Sequence, residues 1–139
     1  MADLLRLLVL VPLAYIAALI AASIVVTVAL FGGVVDAGTL PVAAGVAVGI
    51  MLFAGMISFI PALIAIILSE IFRWRSLIAW LAAGGAIGLL CAEATIAFDG
   101  LAFADHLRLI CVAGGFVGGA VYWLIAGKLA GIGDLTSRA

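Results

Sequence analysis

The spacing of the charged residues constrains this chain more than any other feature. Six basic and seven acidic side chains divide its 139 residues into uncharged stretches. Three of these contain 29, 33 and 19 residues, and they lie between Arg6 and Asp36, between Asp36 and Glu70, and between Arg108 and Lys128. A helix crosses a hydrocarbon core of about 30 Å with about 20 apolar residues. Each stretch is therefore long enough to cross a bilayer.

The composition points in the same direction. Hydrophobic residues make up 69% of the chain and charged residues 9%, whereas soluble domains contain about 45–50% apolar and about 25% charged residues. A soluble globule of this size cannot hide so much apolar surface from water. Because the net charge is −1 and only six residues are basic, we also expect no nucleic-acid partner.

A further stretch, between Arg75 and Asp99, is also long enough to cross if Glu93 is accepted inside it. The sequence therefore predicts four membrane spans, and the stretch with Glu93 is the third. Short connections make consecutive spans antiparallel neighbours. We therefore predict an all-α membrane protein, a single four-transmembrane-helix up-down bundle with short loops over residues 1–139. The predicted spans cover about 7–31, 41–68, 77–98 and 107–129.

The basic residues predict the orientation, because Lys and Arg concentrate on the cytoplasmic side of membrane proteins. Five of the six fall on one side of the predicted bundle and Arg108 on the other; the five are Arg6, Arg73, Arg75, Lys128 and Arg138. We expect cytoplasmic N- and C-termini and a multi-pass protein of the bacterial inner membrane. The first stretch also resembles a signal peptide, but it exceeds the usual apolar core of about 7–15 residues. We expect it to be retained.

The second stretch is too long for an upright helix and contains a proline. Pro61 lacks an N–H, and its ring disturbs the hydrogen bond to the carbonyl of Ile57. We expect a tilt, an extension or a bend at Pro61, with Ser58 near enough to cap the freed carbonyl. A static kink is favoured over a hinge.

Small residues recur four positions apart in every span. In lipid, helices associate through close backbone approach and dispersion rather than through the hydrophobic effect. We therefore expect tight helix contacts at these glycines, with the broad glycine face of the fourth helix turned inward. The glycines are Gly45, Gly49, Gly84, Gly88, Gly114, Gly115, Gly118 and Gly119.

Glu93 is the one charge that falls well inside a predicted span rather than near an end, about 7.5 Å from its outer end. A carboxylate there either takes up a proton or pairs with a cation. Arg108, His106 and Thr95 are predicted at a similar depth. Two hypotheses stay open: a proton or cation site, or a buried ion pair with Arg108 that sets the register of the helix hairpin.

The sequence contains no arrangement typical of catalysis or metal binding. There is one His, and Cys91 and Cys111 are not in a Cys-x-x-Cys motif, so we expect no metal site, no cofactor and no enzymatic activity. We expect both cysteines to be packing residues, although a disulfide is chemically allowed.

Three function classes are compatible with so few polar groups. The first is an accessory, assembly or scaffolding subunit that packs through its small residues against another membrane protein or a second copy. The alternative is a small oligomeric proton-coupled transporter or channel that uses Glu93. The third is a lipid-interacting protein. Membrane lipids are expected partners in each case.

Overall fold

The computed structural model describes residues 9–72, 76–99 and 104–126, and within them it contains four α-helices and no strand. Each helix is long and apolar enough to cross a membrane. The predicted four-span, all-α bundle is confirmed, and the chain is an integral membrane protein. The helices are α1 (Val11–Leu30), α2 (Leu40–Phe72), α3 (Leu77–Asp99) and α4 (Ala104–Ile125).

Some sequence predictions lie outside the described residues. The predicted outer limits of the first and last spans, positions 7 and 129, are among them. The five basic residues that predict the orientation lie there too: Arg6, Arg73, Arg75, Lys128 and Arg138.

The helices surround a common axis in chain order, and α4 holds the bundle together. Contact is most extensive between α3 and α4, then between α1 and α4; α1 and α2 share less, and α2 and α3 share the least. α4 is accordingly the most buried of the four helices and α2 the least. The bundle is therefore a packed group of α1, α3 and α4 with α2 at its periphery.

Two glycines end α1. Gly32 and Gly33 have φ of 69° and 82°, a left-handed conformation that side chains with a Cβ rarely adopt. Gly33 N–H donates to the Val28 carbonyl at 2.9 Å and Gly32 N–H to the Ala29 carbonyl at 3.1 Å. These two bonds form a Schellman motif, which satisfies carbonyls that the end of a helix leaves free.

A reciprocal cap begins α2. Thr39 N–H donates to the Asp36 carboxylate at 2.8 Å, and Asp36 N–H donates to the Thr39 hydroxyl oxygen at 3.1 Å. The Thr39 backbone and hydroxyl bonds hold the pKa of Asp36 below its usual value. The connection between α1 and α2 is thus built from local hydrogen bonds at both ends.

The backbones of α3 and α4 touch at four glycines. A methyl group placed on Gly84 would overlap the carbonyl oxygen of Gly115, and one on Gly115 would overlap that of Gly84. In the same way Gly88 lies against the Cys111 carbonyl, and Gly119 against that of Trp80. We call Gly84, Gly88, Gly115 and Gly119 the α3–α4 glycine contact.

The other two glycines of α4 face α1. A Cβ on Gly114 would come within 2.7 Å of Val26 Cγ2, and a Cβ on Gly118 within 3.2 Å of the Ala18 carbonyl oxygen. α4 therefore carries two adjacent rows of glycine, one for each neighbouring helix. The expectation that the central glycines of α4 face inward agrees with this placement.

Tyr15 of α1 makes hydrogen bonds to α2. The Tyr15 hydroxyl donates to the Gly55 carbonyl at 3.1 Å and lies 2.8 Å from Ser58 Oγ, and the Tyr15 ring packs edge-on against Phe59. Ser58, expected to cap the carbonyl freed by Pro61, thus pairs with Tyr15. α2 continues as one helix through Pro61.

Gly45 and Gly49 differ from the sequence expectation of tight helix contacts. Both are exposed, and a Cβ placed on either would meet nothing within 4 Å. The reason is the peripheral position of α2, which leaves both glycines facing away from the rest of the chain. A repeat of small residues identifies a surface that allows close approach, but it does not say whether that surface is used within the chain.

The two kinds of glycine predict opposite effects on stability. Gly84→Ala forces the backbones of α3 and α4 apart, and we expect it to lower the free energy of unfolding by about 1–3 kcal/mol, as overpacking does. Gly49→Ala, in open space, serves as the control and should not lower it, because Ala is more favourable than Gly in a helix interior by about 0.5–1 kcal/mol. Denaturant titration in detergent micelles measures both, and equal effects of the two variants would contradict the described packing.

Candidate functional site

The ionisable residue singled out from the sequence is paired in the structure. Glu93 lies near the end of α3, and Arg108 lies in the second turn of α4. Arg108 Nε donates to Glu93 Oε1 at 2.5 Å, and Arg108 Nη2 donates to Glu93 Oε2 at 3.2 Å. This is the two-pronged geometry in which a guanidinium binds a carboxylate most strongly.

A second carboxylate shares the same guanidinium. Arg108 Nη1 donates to Asp105 Oδ1 at 2.8 Å, and the two residues are three positions apart on α4, where helical side chains are neighbours. The cluster therefore holds two acids and one base, with a formal charge of −1. The predicted span limits, 98 and 107, leave Asp105 in the connection between the third and fourth helices. Its i, i+3 spacing from Arg108 was the available signal.

The cluster lies on the outside of the chain rather than in its interior. The side chains of Glu93 and Arg108 are 48% and 36% exposed, and that of Asp105 is 97% exposed. Glu93 shares its exposed face of α3 with Ala86 and Ala97.

Two other residues predicted near Glu93 make different contacts. The Thr95 hydroxyl donates to the Cys91 carbonyl of its own helix at 2.8 Å. His106 is exposed, and no hydrogen bond between His106 and Glu93 is found among the described residues. The structure thus brings together Glu93 and Arg108 and adds Asp105.

The described part of the chain holds no group of three or more His, Cys, Asp or Glu side chains that could bind a metal ion. Cys91 and Cys111 are half-buried free thiols in α3 and α4. The backbone carbonyl of Cys111 lies against Gly88.

A cavity of about 90 Å³ lies between the four helices. Its walls are almost entirely apolar. Many of its lining residues are Ala or Gly, whose side chains are too small to fill the space between the helices. Tyr15 and Ser58 supply hydroxyl groups to its wall, and the ring of Trp80, stacked 4.4 Å from that of Tyr122, lines it on the side of α3 and α4. Sequence reasoning missed this cavity because its walls come from all four helices.

Trp80 is packed inside the bundle although it lies near the start of α3, and the residue is only 7% exposed. Its indole N–H has no hydrogen-bond partner among the described residues. A buried donor without a partner is unusual in a folded protein.

Comparison with protein-family models, with curated proteins and with solved structures finds no match for this chain.

The geometry of the ion pair predicts a non-additive pattern of stability. We expect Glu93→Gln and Arg108→Ala each to lower the melting temperature in detergent. Glu93→Gln leaves Arg108 with only the exposed Asp105, and Arg108→Ala leaves Glu93 without its cation. The double variant should be no less stable than the worse single variant.

Asp105→Asn is the matched control for this cycle. Its carboxylate is almost fully exposed, so its loss should have a small effect, as for other exposed ion pairs. Additive losses in the Glu93 and Arg108 double variant would argue against a coupled pair.

Proposed function

We propose that this protein is an accessory or assembly subunit of the membrane that binds a transmembrane helix of another membrane protein along the exposed face of α2. The observation that carries the proposal is the free surface around Gly45 and Gly49. Both glycines lie in open space on a helix that makes little contact with the rest of its own chain.

Part of the exposed surface of α2 is a row of residues that contains both glycines. At about 100° per residue, its five members fall within about 80° of arc on one side of the helix. The large ones are well exposed, from 62% for Val42 to 75% for Met56. We call this row the α2 outer stripe: Val42, Gly45, Gly49, Leu52 and Met56.

The same chain shows what glycines spaced in this way do when a helix covers them. Gly84 and Gly88 are four positions apart, as are Gly45 and Gly49, and they bring α3 into backbone contact with α4. Lipid chains gain nothing from a glycine surface, since a larger apolar side chain would contact them better. A second helix does gain from it, because its backbone can approach closely.

Location and orientation belong to the same proposal. The concentration of basic residues on one side supports cytoplasmic termini, and we propose the bacterial inner membrane as the site of action. The remaining apolar surface of the bundle would contact membrane lipids.

The alternative function, proton-coupled transport through Glu93, receives less support from the geometry. Both carboxylate oxygens of Glu93 accept hydrogen bonds from Arg108. A carboxylate engaged in this way favours the ion pair as a clamp between α3 and α4 over a role as a proton carrier.

The proposal is tested by purification from native membranes in a mild detergent, followed by intact mass analysis of the complex. We expect the chain to retain a different membrane protein at a defined stoichiometry. Gly49→Leu should abolish the complex, because the added side chain blocks close approach, and it should leave the fold intact because it enters open space.

Ala44→Leu is the matched control on the same helix. Ala44 is exposed but lies off the α2 outer stripe, so this variant should retain the partner. A complex that survives Gly49→Leu would contradict the proposal, and so would a wild-type chain that purifies alone or only as a homo-oligomer.

A further inference from the structure

The cavity between the four helices lies at the depth of the membrane hydrocarbon. Its lining residues belong to the membrane-spanning segments of all four helices, including Ser58 of α2, Trp80 of α3 and Gly118 of α4. We propose that this cavity binds the end of a lipid acyl chain, which enters between α2 and α3. The inference is independent of whether α2 binds a partner helix.

Water is a poor occupant of this space. A buried water needs two to four polar partners, and the walls are almost entirely apolar. Tyr15 and Ser58 supply two hydroxyls, but these lie 2.8 Å apart in a mutual hydrogen bond, and Tyr15 also donates to the Gly55 carbonyl. Their donor capacity is therefore already used within the protein. The indole N–H of Trp80, which also lines the cavity, has no partner among the described residues, but one free donor is fewer than the two polar partners that a buried water needs.

The volume suits a few methylene groups. A cavity needs about 10–15 Å³ to admit one water, and an engineered apolar cavity of about 150 Å³ binds benzene. The present cavity, at about 90 Å³, is between these sizes. A void leaves its lining atoms without contacts on one side, and a hydrocarbon chain restores these contacts.

The weakest side of the bundle provides the entry. α2 and α3 share the least contact of the neighbouring helix pairs, and both line the cavity. Small side chains, such as Ala62 and Ala83, stand on these two walls. An acyl chain of the surrounding bilayer would enter the cavity laterally, between α2 and α3, without passing through water.

Trp80 provides a reporter inside the site. It lines the cavity and is 7% exposed, so lipid outside the bundle has little access to it. We would prepare a protein with Trp80 as its sole tryptophan (Trp74→Phe and Trp123→Phe) and reconstitute it in phosphatidylcholine with or without bromine atoms on the acyl chains. Bromine quenches tryptophan fluorescence at short range. With a chain in the cavity, the brominated lipid should remove most of the Trp80 emission.

A variant that fills the cavity separates occupancy from quenching by surrounding lipid. Ala62→Phe places a ring in the cavity and should restore the emission, whereas Ala44→Phe on the exposed part of α2 should leave the quenching unchanged. If Ala62→Phe fails to fold, Ala65→Leu on the same wall replaces it. Equal Trp80 emission in the two lipids would overturn the proposal, since the cavity would then be empty or hydrated. Quenching that persists in the filled variant would overturn it as well.

Discussion

Helices in a bilayer have no hydrophobic reason to prefer each other over lipid, so what holds them together is how closely their atoms can approach. In this protein the closest approach is between α3 and α4, where the α3–α4 glycine contact brings the two backbones together and leaves no room for a Cβ. The second glycine row of α4, Gly114 and Gly118, packs against α1. The position of every other element depends on this three-helix arrangement, with α4 between its two neighbours.

The peripheral position of α2 follows from the same constraint. α4 has glycine rows for α1 and α3 only, and α2 has the least contact with the rest of the bundle, with hydrogen bonds from Tyr15 to Ser58 and Gly55. Loose attachment has two consequences. On the inside, α2 does not fill the space beside Trp80, which leaves the apolar cavity. On the outside, it presents the α2 outer stripe, a surface whose glycines have no neighbour within the described chain.

The spacing of charges was sufficient to predict four helices and their approximate limits, because membrane thickness fixes helix length. The partnership of Glu93 with Arg108 was also predictable, since Arg108 is the only Lys or Arg residue predicted at that depth. The neighbour that each row of small residues faces was not predictable from the sequence. Gly84 and Gly49 look alike in sequence, yet one touches a neighbouring backbone and the other faces outward, because only the choice of helix neighbours distinguishes them. The cavity was hidden for the same reason, and so was the buried position of Trp80.

The account depends most on the direct backbone contact between α3 and α4. Solid-state NMR of the protein in lipid bilayers measures it without a mutation: with the carbonyl carbon of Gly84 and the α carbon of Gly115 selectively labelled, magnetisation passes between them only when they are close in space. We predict a strong cross-peak for this pair and none between Gly49 and Gly115. The absence of the Gly84–Gly115 cross-peak from a well-folded sample would contradict the account.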